Sequence, residues 1–337
     1  MMKKTLAIVL TIALMCTVML TGCGQEAAPA ETKAEAAVTE GTAKDYVIGF
    51  VPMTLNNEYF ITMVNAAEKK AAELGVKLEV QAGDQHASAA DQLTIVENLI
   101  TSGVDAICIV PSSSEGLEAA LKKAKNANVP VINLDTILDE SICEAAGMEV
   151  PFYGTDNYAG AKAAGEYVRE NFEKGTKVAI LTGISGQQNA ADRRDGFIEG
   201  AGDAIEVVAE QSANWEVDQG YAAAQNILTG NPDIGLIYCG NDGMAIGAYR
   251  AVQEAKLQDQ VKVIGFDGVS EALTMVEKGE LMATVAQDPA KMGQMGVENA
   301  VKLLNGEEVE MKVDTGAKLI LKENVKEQQE YNAQFAD

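Results

Sequence analysis

The chain has 337 residues and a globular composition, with 47% hydrophobic and 23% charged residues. Its 26 Lys and Arg stand against 50 Asp and Glu, and the formal net charge of −24 argues against binding to nucleic acids or anionic lipid surfaces. His86 is the only histidine, which leaves almost nothing from which to build a Ser-His-Asp triad, a multi-histidine zinc site or a two-histidine metalloprotease motif.

The first 23 residues have the pattern of an export signal. Two lysines precede an apolar run over residues 6–20, which is short for a membrane-spanning helix. The run ends in Leu-Thr-Gly-Cys at residues 20–23, and this tetrapeptide resembles the bacterial lipobox, in which the cysteine is diacylated and becomes the new N-terminus. We therefore predict a lipoprotein signal peptide over residues 1–22 and a lipid on Cys23. The alternative is a plain signal peptide followed by a chance cysteine.

A second segment, residues 23–44, is predicted to be a lipidated flexible tether. Residues 25–44 are mainly Ala, Glu, Thr and Pro, and they have too few large apolar side chains to form a packed core. Folding is expected to begin near Asp45. The 293 residues after Lys44 are enough for two lobes of ordinary size.

Short apolar runs then alternate with segments of helical periodicity. The runs cover residues 47–51, 77–80, 106–110, 131–134, 177–181, 206–209, 236–239, 263–266 and 283–286. Their near-continuous hydrophobicity is typical of strands buried on both faces. Between the first two runs, apolar residues recur at helical spacing from Phe60 to Leu74, and Gly75 follows as a stop signal. This βαβ alternation predicts an α/β fold with mainly parallel, doubly wound sheets.

The pattern begins again in the middle of the chain. The sequence KGTKVAILTG from Lys174 resembles KDYVIGFV from Lys44, which opens the first half. One sheet of nine or more strands is the alternative, but we predict two lobes. Cys108 and Cys239 fall inside predicted strands, so we expect buried, inert thiols. Together with Cys143 they make an odd number, which requires no disulfide framework.

Polar and aromatic residues follow the predicted strands at equivalent places in both halves. In parallel α/β sheets, ligands bind beyond the carboxyl ends of the strands, so these residues are candidates for a binding site. They are Asn57, Tyr59, Phe60, Asp135, Arg193, Trp215, Asn241, Asp267 and Gln287. Carboxylates, amides and an arginine suit the hydroxyls of a neutral polyol, and flat aromatic faces suit the C–H faces of a sugar ring.

Each candidate also has a structural interpretation. The two aromatic residues after the first run could pack in the core of the first helix, and Arg193 could form a surface ion pair. The side chains of Asn57, Asp135 and Asp267 are suited to helix N-caps. Their recurrence at one edge of the fold favours a common site.

Six motifs carry a resemblance to a known family. They are TLNNEYF (54–60), VINLD (131–135), GTDN (154–157), NDGMAIG (241–247), GFDG (265–268) and ATVAQ (283–287). Together they resemble the ribose- and allose-binding branch of the periplasmic binding proteins, over residues 45–321. The resemblance implies a type I, Venus-flytrap fold in which a three-segment hinge joins two lobes. The N-terminal lobe would comprise residues 45–155 and 288–316, and the C-terminal lobe residues 156–287 and 317–330.

The resemblance also implies a function. It predicts a monomeric extracytoplasmic receptor, at the cell surface or in the periplasm, that captures a pentose or hexose between closing lobes. The receptor would deliver the sugar to the permease of an ABC importer and, indirectly, to its ATPase, with the lipid as its only link to the membrane. The nine candidates named above would contact the ligand. Met53 and Thr136 depart from the ribose and allose patterns, so the sugar itself is not predicted.

Two other functions are compatible with the residues. A sensor could present a sugar or a furanosyl signal molecule to a chemoreceptor or a kinase. An exported enzyme could use Asp135 and Asp267 as an acid/base pair, but Arg193 and the neighbouring amides are expected to favour ionised carboxylates rather than the raised pKa that an acid needs. The sequence has no calcium loop, no P-loop and no dinucleotide fingerprint, so we predict no metal, no cofactor and no catalytic activity.

Overall fold

The computed structural model of the protein describes residues 45–83 and 88–335. The predicted signal peptide, the predicted lipidation site Cys23, the predicted tether and His86 lie outside these residues. Within the described ranges, no helix combines the length and apolarity of a membrane-spanning segment.

The first of two six-stranded sheets has the order β11-β5-β4-β3-β1-β2. Its strands are β1 Val47–Val51, β2 Lys77–Val80, β3 Ala106–Ile109, β4 Val131–Leu134, β5 Phe152–Gly154 and β11 Lys312–Asp314. Every neighbouring pair in this sheet is parallel. The chain runs from β1 outward to β2 and then back across β1 to β3, which is the topological switch point of a doubly wound sheet.

The second sheet repeats this arrangement in the order β12-β10-β9-β8-β6-β7. Its strands are β6 Thr176–Thr182, β7 Ile205–Ser212, β8 Leu236–Cys239, β9 Lys262–Asp267, β10 Ala283–Ala286 and β12 Lys318–Ile320. Only β12 is antiparallel to its neighbour, β10. The chain passes between the two sheets three times, after β5, after β10 and after β11.

Helices connect the strands and cover both sheets. They are α1 Glu58–Leu74, α2 Ala89–Ser102, α3 Glu118–Asn126, α4 Glu140–Ala146, α5 Asn157–Asn171, α6 Gln188–Ala201, α7 Val217–Gly230, α8 Asp242–Glu254, α9 Ser270–Lys278, α10 Pro289–Leu304 and α11 Val325–Asn332. Two short 3₁₀ turns cover Gly202–Ala204 and Ala333–Phe335.

Each sheet has an apolar core on both of its faces. One face of the first sheet packs Ile48 and Phe50 against Met63 of α1 and Met292 of α10. The other face packs its strands against residues of α2 and α3 such as Leu99. Residues of α5 to α9 cover the second sheet in the same way. These are two α/β lobes with doubly wound, mainly parallel sheets, as predicted.

The predicted strands and the first helix agree closely with the structure. All nine apolar runs form strands, and α1 ends at Gly75, whose left-handed φ of 69° lets its N–H reach the carbonyls of Ala71 and Ala72. Cys108 and Cys239 are fully buried, and burial raises the pKa of both thiols. The strands β5, β11 and β12 were not predicted.

Candidate ligand-binding site

A pocket with about 320 Å³ of empty space lies between the lobes, where strands of both sheets end. The lining residues are Met53, Asn57, Tyr59, Phe60, Asp135, Asn189, Arg193, Trp215, Asn241, Asp267 and Gln287. The structure thus brings together all nine predicted residues and adds Met53 and Asn189.

Asp135 organises the wall that the first lobe contributes. Its Oδ1 accepts a hydrogen bond of 2.7 Å from the hydroxyl of Tyr59, and its Oδ2 accepts one of 3.1 Å from Thr136. Burial is the main cause that raises the pKa of Tyr59, so its hydroxyl stays a neutral donor. Asn57 accepts a 2.9 Å bond from the Tyr59 N–H and caps α1, as one of its two interpretations predicted.

A strained turn presents Asp135 to the pocket. The residue has a left-handed φ of 61°, a conformation that costs free energy in a residue with a side chain and that clusters at functional sites. The buried amide of Asn133 stabilises the turn. It donates to the Thr136 carbonyl at 2.8 Å and accepts from the Leu138 N–H at 2.8 Å.

Arg193 of α6 organises the wall that the second lobe contributes. It is 3% exposed and therefore forms no surface ion pair. Its Nη1 donates to Asp267 at 3.1 Å and to the Gly240 carbonyl at 2.8 Å, while Nε donates to Asn157 at 2.7 Å. The guanidinium lies 4.0 Å from the centre of the Phe266 ring. A planar cation fixed on several sides can donate in a defined direction to a ligand.

Trp215 provides a flat apolar wall. Its backbone is left-handed, with a φ of 68°, and its indole N–H donates to Gln187 at 2.6 Å. Asn241 donates to the Trp215 carbonyl at 3.1 Å and also caps α8. Gly183 makes room for the ring, because a Cβ at that position would lie 1.8 Å from the indole.

Asp267 lies between Arg193 and Gln287, whose Nε2 donates to it at 2.7 Å. Burial raises the pKa of Asp267 to about 6, and this effect outweighs the lowering caused by Arg193 and Gln287. Arg193 and Gln287 favour the ionised carboxyl, as expected, but burial has the larger effect on its pKa. The buried Asp242 fixes the adjacent loop by accepting hydrogen bonds from the N–H groups of Gly268 and Val269.

Neither aspartate of the pocket caps a helix. The helix that follows Asp135 is capped by Asp139, and Val269 occupies the N-cap position after Asp267. The carboxylates of Asp135 and Asp267 instead form hydrogen bonds with neighbouring side chains. Within the described residues, no group of three or more His, Cys, Asp or Glu side chains is placed to hold a metal ion.

Two buried amide oxygens of the pocket have no hydrogen-bond partner among the described residues. They are Oε1 of Gln287 and Oδ1 of Asn189. Buried polar atoms are nearly always paired, so both oxygens are available to accept a hydrogen bond from a ligand or a water. Asn189 was not predicted, although it lies four residues before Arg193 and therefore on the same face of α6.

One segment of the second lobe, residues 186–189, binds the first lobe directly, and we call it the interlobe segment. The Gly186 carbonyl accepts from the Ser114 N–H at 3.3 Å, and the Gln188 N–H donates to the Ser114 hydroxyl at 3.1 Å. The side chain of Gln187 donates to the Ser112 carbonyl at 2.9 Å. These bonds hold the cleft closed over the pocket.

A second contact joins the lobes at the start of α1. The carboxylate of Glu58 accepts from the N–H of Ser270 at 3.0 Å and from its hydroxyl. Ser270 is the first residue of α9 in the second lobe. The closed arrangement therefore depends on polar bonds, which can break and re-form when the lobes move.

Comparison with known proteins gives consistent matches. Residues 48–308 match the family model described as periplasmic binding protein domain. The D-ribose/D-allose-binding protein of Pseudomonas aeruginosa is 35% identical over 306 residues, 89% of this chain and 93% of that protein. The ribose import binding protein RbsB of Escherichia coli is 38% identical over 282 residues, 83% of this chain and 92% of that protein.

Solved structures agree with these matches. A periplasmic solute-binding protein of an ABC transporter from Actinobacillus succinogenes 130z, crystallised with bound D-allose, has a TM-score of 0.79 and 37% identity. The match covers 84% of this chain and 99% of that chain. A galactofuranose-binding protein has a TM-score of 0.79 at 27% identity, over 87% of this chain and 100% of its own. The chain belongs to the periplasmic binding protein family.

Proposed function

We propose that the protein is a solute-binding receptor that captures a monosaccharide between its two lobes and delivers it to an ABC-type sugar importer. The observation that carries this proposal is the pocket between the lobes, to which both of them contribute carboxylates, amides and aromatic rings. A ligand that fills it touches both lobes and therefore favours their closure. A periplasmic binding protein acts outside the cytoplasm, where such a receptor meets its sugar.

The chemistry of the pocket favours a sugar over an anion or an apolar ligand. Asp135 and Asp267 accept hydrogen bonds, Arg193 donates them, and the side chains of Asn241 and Gln287 can do both. Trp215 and Phe60 offer faces for the apolar side of a sugar ring. Relatives named for ribose and D-allose, and a relative solved with D-allose, support a pentose or hexose as the ligand.

We further propose the lobe limits that the sequence predicts, namely residues 45–155 with 288–316 and residues 156–287 with 317–330. The three connections between the sheets support this division, because the chain leaves β5, β10 and β11 close to these limits. The three connecting segments would form the hinge.

Membrane attachment is a separate part of the proposal. The lipobox-like residues 20–23 favour a diacylated Cys23 that anchors the receptor at the outer face of the membrane, with residues 23–44 as the tether. We expect Cys23→Ala to release the protein from membranes in a detergent-partition assay without changing its affinity for sugar. A variant that still partitions with the membrane would contradict the anchor.

The partners of the receptor would be the permease of the importer and, through it, the ATPase. The receptor itself is proposed to act as a monomer. Copurification of the sugar-loaded receptor with the permease would support this assignment. A receptor that is dimeric in solution would contradict the monomer.

The experiment that tests the proposed function is a thermal-shift screen of the purified protein against pentoses, hexoses, ketoses and polyols. A ligand that binds only the folded state stabilises it by RT ln(1 + [L]/Kd), about 4.1 kcal/mol at 1,000 times the Kd. We expect one or a few pentoses or hexoses to raise the melting temperature. No shift with any sugar would contradict the proposal.

A further inference from the structure

Asn189 is the one polar residue of the pocket that neither the sequence prediction nor the motifs identified. It lies in the first turn of α6 and is 6% exposed. Its side chain lines the pocket together with that of Arg193, one helical turn further along. Unlike Arg193, it also reaches across the cleft, because its Nδ2 lies 3.4 Å from the hydroxyl oxygen of Thr136 in the first lobe.

The hydrogen bonds around Thr136 fix the orientation of the Asn189 amide. The Thr136 hydroxyl lies 3.1 Å from Oδ2 of Asp135, and because a carboxylate oxygen accepts, the hydroxyl donates its only proton there. The Thr136 oxygen can then only accept from Asn189, so the NH₂ group of the amide faces Thr136. The Oδ1 atom is left buried and without a partner among the described residues.

A buried acceptor that stays unpaired is costly, and a donor from the ligand removes that cost. We propose that Oδ1 of Asn189 accepts a hydrogen bond from one hydroxyl of the bound sugar, which makes Asn189 a specificity-determining residue. The inference rests on the proposed function and goes beyond it. Asn189 favours sugars that carry a hydroxyl at the position facing α6 over sugars that lack this hydroxyl.

The test is isothermal titration of wild type and Asn189→Ala. The ligands are D-ribose, D-allose and the sugar that gives the largest thermal shift, each compared with its monodeoxy analogues. We expect the Kd of the parent sugar to rise about tenfold in the variant. One deoxy analogue should bind both proteins equally, because it lacks the hydroxyl that Asn189 recognises. The matched control is Gln188→Ala, which changes an exposed side chain of the same turn that bonds to Asp192.

If Asn189 only supports the structure of the pocket, the affinities follow a different pattern. In that case the variant would lose affinity for the parent sugar and for every deoxy analogue by the same factor, and the inference would be overturned. Unchanged affinity for the parent sugar would overturn it as well. Should the alanine variant fail to fold, Asn189→Leu, which has nearly the same shape as Asn but no acceptor, carries the same comparison. A wild-type protein that binds no sugar refutes the proposed function, whereas a binding wild type with an unaffected variant refutes this inference alone.

Discussion

Trp215 is the only tryptophan of the chain, and at the scale of single residues it is the clearest apolar contact for a sugar ring. We expect Trp215→Ala to weaken binding by about 2 kcal/mol, close to 30-fold in Kd, because the ring loses its stacking partner. Trp215→Phe keeps a flat face and should retain most of the affinity. Titration calorimetry measures both, and an unchanged Kd for the alanine variant would place Trp215 outside the binding site.

Asp267 is expected to make stability depend on pH. Its pKa is raised by burial to about 6 from an ordinary 3.8, so between these values the folded protein holds a proton that the unfolded chain releases. The free energy of unfolding contributed by this group is therefore higher at about pH 5 than at about pH 7, by roughly 1 kcal/mol. Asp267→Asn cannot titrate and should lose this part of the pH dependence.

Urea unfolding of the sugar-free protein at both pH values measures this difference. Asp259→Asn is the matched control, because it removes the same charge from an exposed site. Burial and, after it, the charge of Asp267 raise the pKa of the neighbouring Asp242, so the pH dependence lost in Asp267→Asn includes the part that these two carboxyls share. An equal pH dependence in wild type and Asp267→Asn would show that Asp267 is already ionised at pH 5.

The individual residues of the site could be predicted where a simple rule applied to them. Asp135 and Asp267 follow strands, and the ends of parallel strands meet at one edge of a sheet. Asn189 and Gln187 follow no such rule, because their roles arise only when two lobes face each other. Their partners, Thr136 and Ser112, are 53 and 75 positions away in the chain.

At the scale of elements, the strands of four or more residues could be predicted and the three-residue strands could not. Strands β1, β3 and β4 are apolar runs of four or five residues in the interior of their sheet, whereas β11 is a three-residue strand, Lys-Val-Asp, at its edge. Strand β7 runs to Ser212, beyond the predicted end at Ala209, because an edge strand tolerates exposed polar residues. A hydrophobic run therefore identifies a strand only when it is long enough to stand out from the surrounding sequence.

The packing of α5 against α6 positions Arg193 and gives an element-scale prediction. A Cβ on Gly196 would lie 2.3 Å from the carbonyl oxygen of Tyr158 on α5, so the two helices touch through their backbones. We expect Gly196→Ala to separate them, to destabilise the protein by about 1–3 kcal/mol and to weaken sugar binding by displacing Arg193.

The matched control for this variant is Gly230→Ala at the end of α7, where no atom lies within 4 Å of the new Cβ. That substitution should leave binding unchanged and stability equal or up to about 1 kcal/mol higher. Thermal melts and titration calorimetry check both variants. Equal sugar affinity of the two variants would mean that the helix contact does not hold Arg193 in place.

At the scale of the whole molecule, the interlobe segment is expected to control how long the closed state lasts. Gln187 is 3% exposed and joins the indole N–H of Trp215 to the Ser112 carbonyl of the first lobe. Gln187→Ala removes this link only in the closed state, so we expect the dissociation rate of sugar to rise about five- to tenfold with little change in the association rate.

Stopped-flow fluorescence can follow this effect, since Trp215 is the only tryptophan and lies in the pocket. Gln188→Ala, in the same segment but with an exposed side chain, serves as the control and should behave as wild type. If Gln187→Ala instead slows the association of sugar, Gln187 also affects the open state.

The proposed receptor requires that a sugar close the two lobes by contacting both of them. Small-angle X-ray scattering of wild type and Arg193→Ala, each with and without ligand, measures this closure. The radius of gyration of wild type should fall when sugar saturates it, because a ligand shifts the open and closed populations by its differential affinity for them. Arg193→Ala should stay mostly open at the same sugar concentration, because its Kd is expected to be about 10- to 150-fold higher. A wild-type radius of gyration that does not change at saturation would contradict closure and leave a rigid pocket between fixed lobes.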